Sequence, residues 1–187
     1  MRSFMESNGL HLGLLFNADP HSRMIDENDP VTALRFGDAA TVTLLSDRPK
    51  WAIGRCDLGT AGVKGRAMEV RLDLGGRLHV DRNALRDFAI ERVPQSIARV
   101  LELNQLTIQQ IDRIVVHQAD RELVEALAKK VGAAAKLGFH AGDYGDTASS
   151  SIALVLEQNL DRTDRRVVLA GFGAGLSWAS TVLTRVD

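Results

Sequence analysis

IDRIVVHQADRELVEALAKKVG, residues 111–132, changes its hydrophobic rhythm halfway along. Ile114, Val115 and Val116 make a β-branched run, the pattern of a strand, and Leu123, Leu127 and Val131 then recur at helical spacing. Asp120 stands where a helix N-cap belongs, and Gly132 where a helix stops. A strand that feeds a helix directly is a building unit of α/β folds. His117 falls at the C-terminal end of this strand, the edge where ligands collect in open α/β sheets.

Downstream, AKLGFH (135–140) reads as a short strand and DTASSSIALVLEQNL (146–160) as a helix. RRVVLAGFG (165–173) is a strand running into glycines, followed by a last strand, LSWASTVLTRV (176–186). Upstream, Leu85, Phe88, Ile97, Val100 and Leu101 predict a helix over 83–103 that kinks or restarts at Pro94. Residues 60–80 are glycine-rich and predict a loop carrying a hairpin. WAIGRCDLGT (51–60) and the end of FGDAATVTLLSD (36–47) read as strands, and DPHSRMIDENDP (19–30) as a loop. LHLGLLFNA (10–18) is expected to be a buried strand, and MRSFMESNG (1–9) the last turns of a helix ended by Gly9. Strands alternate with helices and the chain closes on two adjacent strands. That order predicts a three-layer α/β arrangement, a mixed sheet flanked by helices.

The composition is that of one ordinary globular domain: 187 residues, 45% apolar and 25% charged. Lys and Arg number 23 against 24 Asp and Glu, so no broad cationic footprint marks the chain for nucleic acid or a membrane surface. No stretch reaches the length of a membrane span, and residues 1–9 lack a signal peptide's apolar core. The single cysteine, Cys56, cannot form an intramolecular disulfide and fits a reducing, cytoplasmic setting.

DYGDTASSS (143–151) sets one acid before a run of very small residues. Taken by itself, Asp146 reads there as the N-cap of the following helix. A helix N-terminus beside His117 disfavours the imidazolium, so the ring is expected to accept a proton or a hydrogen bond.

These same segments carry a family resemblance. IDRIVVHQADRELVEALAKKVG is similar to the His-Gln-Ala-Asn segment of β-ketoacyl-acyl-carrier-protein synthase III and its relatives in the thiolase superfamily. DYGDTASSSIAL resembles their Tyr-Gly-Asn-Thr-Ser-Ala-Ala-Ser segment, VVLAGFGAGLSWASTVL their glycine-rich closing hairpin, and RFGDAATVTLL their Phe-Gly-Asp-Gly-Ala turn. The four segments keep the family's order and spacing across nearly the whole chain.

The resemblance implies a thiolase-like half, with residues 1–187 forming the C-terminal domain of such a protein. It assigns the family's catalytic His to His117 and its Asn to Asp146, both converging on a reactive cysteine in an N-terminal half that precedes this chain. It further implies an oxyanion donor at the Ala174 N–H, a site wall at Phe172 and close backbone approach at Gly173. Asn83 and Ala119 match positions that line a pantetheine channel, where Arg82, Arg86 and Asp120 replace a glycine, a phenylalanine and an asparagine. The substrate it implies is an acyl-pantetheine thioester on acyl carrier protein or coenzyme A, with no bound cofactor and no metal. The implied partners are a nucleophile-bearing half or homologous subunit within an oligomer, a dimer in the first instance.

Departures from the family pattern refine the chemistry. A carboxylate at residue 146 would repel the enolate of a decarboxylative condensation, whereas beside His117 it can orient and stabilise an imidazolium as in a Ser-His-Asp triad. A Cys-His-Asp set therefore predicts acyl transfer onto a hydroxyl or amine. Cys56 falls outside every site segment and is expected to be an inert thiol, and no G-x-S-x-G elbow supplies a serine nucleophile. The glycines at 171, 173 and 175 are spaced G-x-G-x-G and precede a strand, which excludes a dinucleotide fingerprint. Alternatives are a non-catalytic subunit of a heteromer and a fragment of a longer ketosynthase.

Overall fold

The structure, a computed structural model, describes residues 1–71, 73 and 75–186. Its centre is a mixed four-stranded sheet of β3 (Trp51–Thr60), β6 (Arg113–Val116), β7 (Arg166–Gly173) and β8 (Ser177–Arg185), in spatial order β3-β8-β7-β6. β6 runs parallel to β7, and the other two pairings are antiparallel. The two-residue period of a strand sorts the core into two sides. Ile114, Val116, Val168, Ala170, Phe172 and Val182 pack with α3 (Arg82–Leu103) and α4 (Arg121–Val131), burying Phe88, Val93, Ile97, Leu123 and Leu127. Their neighbours Val115 and Val167 turn the other way and meet Val155 of α5 (Ser151–Asn159). Helices thus cover both faces, as the alternation of elements predicts.

The termini of α4 follow the expected chemistry: Asp120 Oδ1 accepts the Leu123 N–H at 2.7 Å, and Gly132 ends the helix at φ 71°. α3 departs from expectation, because it continues through Pro94 as one element. Burial of Val93, Ile97 and Val100 carries it past the N–H that Pro94 lacks. The strand expected over 135–140 does not form. That segment gives β6 a single bond, Ile114 N–H to Lys136 C=O at 2.9 Å, while the Lys136 ammonium donates to the carbonyls of Ile108, Gln109 and Ile111.

The first third of the chain is built differently. α1 (Arg2–Ser7) ends ahead of Gly9 at φ 62°, and β1 (Leu12–Asp19) pairs with β2 (Ala39–Ser46) as a separate antiparallel ribbon. The burial expected for this strand is corrected: Leu12, Leu14 and Phe16 are exposed, beside exposed Val42 and Leu44. α1 lies against the opposite face, with the buried Met5 at Gly13. The connection between β1 and β2 carries a short turn of helix, α2 (Pro30–Ala33), and between β3 and α3 lies the expected hairpin, β4 (Met68–Arg71) with β5 (Arg77–Val80). Among the described residues no helix is long and apolar enough to cross a membrane.

Candidate active site

β6 ends at Val116, but the next N–H, that of His117, still bonds the Ala170 carbonyl of β7 at 2.9 Å. This fixes the His117 backbone at the C-terminal edge of the sheet. The ring stands edge-on to Phe172, with centroids 5.0 Å apart. Nδ1 lies 2.8 Å from Ser151 Oγ, and Nε2 lies 3.5 Å from Asp146 Oδ1. At that separation the latter is a close contact rather than a tight hydrogen bond. Both side chains are nearly enclosed, 12% exposed for His117 and 5% for Asp146.

Asp146 is delivered by backbone pairing between distant segments. Its N–H donates to Arg35 C=O at 2.8 Å and its C=O accepts the Gly37 N–H at 3.0 Å, which forms a parallel bridge to Phe36. The approach leaves no space for side chains. A Cβ on Gly37 would lie 1.9 Å from Tyr144 O, and one on Gly145, at φ 68°, would lie 2.6 Å from Arg35 O. Asp146 is therefore not the N-cap of α5, which starts five residues later. Its Oδ1 instead accepts the Ala148 N–H at 2.9 Å, an Asx-type turn that holds Ala148 at φ 44°. Burial pushes the Asp146 carboxyl up, but the His117 charge and hydrogen bond, the Ala148 N–H and the Arg35 charge outweigh it. The net result holds it below the ordinary carboxylate value of 3.8.

The three small serines do more than pack. Ser149 donates its N–H and its hydroxyl to the Asp19 carboxylate, and Ser150 accepts the Thr41 hydroxyl at 3.2 Å, so both anchor the β1–β2 ribbon. Ser151, 2% exposed, holds His117. Gln118, also buried, donates to Val116 C=O and accepts the His140 N–H, which ties the 139–142 segment beside the site. Sequence reasoning missed Ser151 and Gln118 as site-forming residues. Polar side chains flanking an otherwise apolar strand and helix are the signal each carried.

The other expected residues divide. Phe172 and Gly173 end β7 next to His117, and Ala174 opens the exposed turn that leads into β8, with Gly175 at φ 74°. Asn83 lines a cavity of about 450 Å³, together with Arg35, Arg82, Arg86, Asp120 and Glu122. Ala119 does not share that wall; it is buried in the main core. Cys56 is exposed on β3, opposite Thr181. Among the described residues no three His, Cys, Asp or Glu side chains are grouped to hold a metal ion.

Chemically, the centre is an imidazole with a different partner at each nitrogen. A serine hydroxyl can donate or accept, so Ser151 supports either neutral tautomer and the imidazolium. A carboxylate only accepts, so Asp146 favours a proton on Nε2. The orienting role expected of Asp146 by analogy with a triad thus falls to Ser151 at Nδ1, while Asp146 faces Nε2.

Residues 1–62 match the family model of 3-oxoacyl-[acyl-carrier-protein] synthase III, and residues 101–185 match that of the C terminus of the same synthase. β-Ketoacyl-[acyl-carrier-protein] synthase III of Streptococcus sanguinis is 30% identical over 199 residues, covering 97% of this chain and 61% of the relative. The enzyme of that name from Streptococcus equi subsp. zooepidemicus is 29% identical, over 95% of this chain and 60% of the relative. The chain thus spans about three fifths of the length of these relatives. Among solved structures, synthase III from Pseudomonas aeruginosa superposes with a TM-score of 0.89 at 26% identity, covering 99% of this chain and 61% of that one. The Thermus thermophilus synthase III gives 0.88 at 27%, covering 99% and 62%.

Proposed function

Because this chain belongs to the 3-oxoacyl-acyl-carrier-protein synthase III family, we propose that it contributes His117 and Asp146 to an acyl-transfer site. The nucleophile of that site is a cysteine outside these 187 residues. The observation that carries the reading is the contact of His117 Nε2 with the buried Asp146 carboxylate, against Phe172 and next to the β7–β8 turn. The acyl group arrives as a thioester on acyl carrier protein or coenzyme A and passes to the cysteine. An acceptor hydroxyl or amine then loses its proton to Nε2 of the tautomer whose Nδ1–H donates to Ser151. The imidazolium so formed lies beside Asp146, which stabilises it. The acceptor attacks the acyl-cysteine carbonyl, whose oxyanion takes the Ala174 N–H, and the proton on Nε2 leaves with the cysteine sulfur. Asn83 lies along the entry path.

A condensing reaction fits less well. The developing enolate would meet a carboxylate held in its charged form in the position where a neutral donor is needed.

The test combines the chain with a cysteine-bearing segment that supplies what it does not span. Without that segment no acyl transfer is expected. With it, Asp146→Asn should lower transfer to oxygen or nitrogen by roughly 10²–10⁴-fold, the usual loss on removing acid–base assistance. The same change should raise malonyl decarboxylation. Unchanged transfer in Asp146→Asn would reduce Asp146 to the turn-former of Ala148, because Asn serves that role equally well.

A further inference from the structure

The transfer steps make no use of one charged residue at this centre, Arg35. Its backbone is locked to Asp146: the Arg35 carbonyl accepts the Asp146 N–H at 2.8 Å, and a Cβ on Gly145 would lie 2.6 Å from Arg35 O. Its side chain is 12% exposed, and Nη2 meets Asp120 Oδ2 at 3.0 Å. Nε is buried with no acceptor among the described residues. A guanidinium keeps its charge at any working pH, so enclosing one with a donor unmatched is unfavourable.

The neighbouring carboxylate shows what this charge offsets. Asp146 is nearly enclosed, and His117 stands 3.5 Å from it. An imidazole balances a buried carboxylate only while it is protonated. To act as a base the ring must first be neutral, and in that state His117 gives Asp146 no counter-charge. A buried carboxylate so placed takes up a proton itself unless another cation faces it. Arg35 supplies that cation, and its charge acts with that of His117 in favour of the ionised carboxylate.

The charged groups here come from three elements. His117 stands at the end of β6, Arg35 in the turn after α2 and Asp120 at the start of α4. Arg82, Arg86 and Glu122 share a cavity wall with Arg35 and Asp120. Asp120 holds the guanidinium in place, since its Oδ1 caps α4 at Leu123 while its Oδ2 takes Nη2. With a neutral ring the set has two carboxylates and one fixed cation; with an imidazolium the charges balance.

We propose that Arg35 is a positioning residue of this site, the fixed cation that keeps Asp146 ionised while His117 is neutral and able to take a proton. The inference rests on the acyl-transfer reading for the use made of that proton, but not for the charge on Asp146.

Arg35 and Asp120 carry opposite charges, which separates an electrostatic role from a structural one. The carboxyl carbon of Asp146, assigned by its loss in Asp146→Asn, is followed by NMR from pH 6 down to pH 3 in the chain alone. Arg35→Met keeps an apolar stem and removes the cation, so Asp146 should titrate at higher pH than in wild type. Arg35→Lys keeps the charge and should return the titration towards wild type. Asp120→Asn keeps the cap of α4 and removes an anion, so Asp146 should titrate no higher than in wild type. A merely structural ion pair is broken by either change and would move Asp146 the same way in both. Melting curves at neutral pH check folding, and Arg35→Gln takes the place of Arg35→Met if that variant does not melt cooperatively. An Asp146 carboxyl that ignores loss of the Arg35 charge, or that moves upward in both variants, overturns the proposal. With the cysteine-bearing segment added, the acid limb of transfer should move to higher pH in Arg35→Met and return in Arg35→Lys. Absent transfer with the expected titrations would sink only the acyl-transfer reading. Transfer with an Asp146 titration unmoved by Arg35→Met would sink only this one.

Discussion

At Asp146 two functions share one carboxylate. Oδ1 accepts the Ala148 N–H and also faces His117, so the turn and the charged pair cannot be separated by deleting the side chain. Asn retains the turn and removes the charge, which makes it the informative change. Because the folded carboxyl lies below its ordinary value of 3.8, it gives stability that is fully present above that value. This stability is lost as pH falls through 3.8 towards the folded value. Urea unfolding from pH 6 down to pH 3 should therefore show a shallower acid slope in Asp146→Asn, by at most about 1.4 kcal/mol per pH unit, the effect of one proton. An identical slope would mean that the pair with His117 is not formed in solution. Ser151 makes a different prediction. Ser151→Ala leaves Nδ1 without its partner, so only Asp146 biases the ring, and imidazole nitrogen shifts should move to a single tautomer with the proton on Nε2. Ser151→Thr keeps a hydroxyl and should restore the wild-type spectrum. If Ser151→Ala changes stability but not those shifts, the serine is packing alone.

At the scale of elements, the site is assembled by close backbone approach as much as by side chains. The strand-like contact of Phe36 with Asp146 needs Gly37 and Gly145, and a Cβ at Gly37 would sit 1.9 Å from Tyr144 O, a distance no rotamer can relieve. Gly37→Ala should destabilise by about 1–3 kcal/mol in chemical denaturation, the usual range for overpacking. Gly142→Ala, with nothing within 4 Å, should change stability by no more than about 0.5 kcal/mol. Equal effects at the two positions would show that the bridge yields. This dependence also explains what sequence reasoning could reach. α4 was legible because its stripe, cap and stop are local: Leu123, Leu127, Asp120 and Gly132 lie within thirteen residues of one another. His117 was legible because strand ends point to a sheet edge, whereas Phe172 was reached only through the resemblance of its segment to the family's closing hairpin. The Ser151 bond to Nδ1 and the Arg35 pair with Asp120 join residues far apart in sequence, and no local pattern predicts them. The segment 135–140 failed for the opposite reason. Its residues suit a strand, but its lysine is drawn to three carbonyls of one loop and no ladder forms.

At the scale of the molecule, the sheet and its helices bury an ordinary core while the β1–β2 ribbon does not. Residues directly opposite in an antiparallel pair share a face, so Leu14 with Leu44 and Phe16 with Val42 form one contiguous apolar surface. Phe16 is 67% exposed and Leu44 64% exposed, and two-stranded ribbons are marginal without a covering layer. The Asp19 end is held by Ser149 and Ser150, while at the Leu12 end α1 packs Met5 against Gly13 and its Arg2 donates to the Ile53 carbonyl of β3 at 2.5 Å. Patches of this kind on monomers draw partners. Under the proposed function, the prediction is that a segment corresponding to the two fifths of the relatives that this chain does not span covers this face, and that a second copy of the chain covers it otherwise. The chain alone should therefore associate at tens of micromolar and bind an apolar-surface dye. Phe16→Asp with Leu44→Asp should return it to monomer in sedimentation without altering the ring shifts of His117, because neither side chain reaches the site. The same double change should block complementation by the nucleophile-bearing segment, since that segment would need the same face. A monomeric wild-type chain that binds no dye would show the face to be stable in water. A double variant that complements as well as wild type would show that the missing part does not dock on the ribbon.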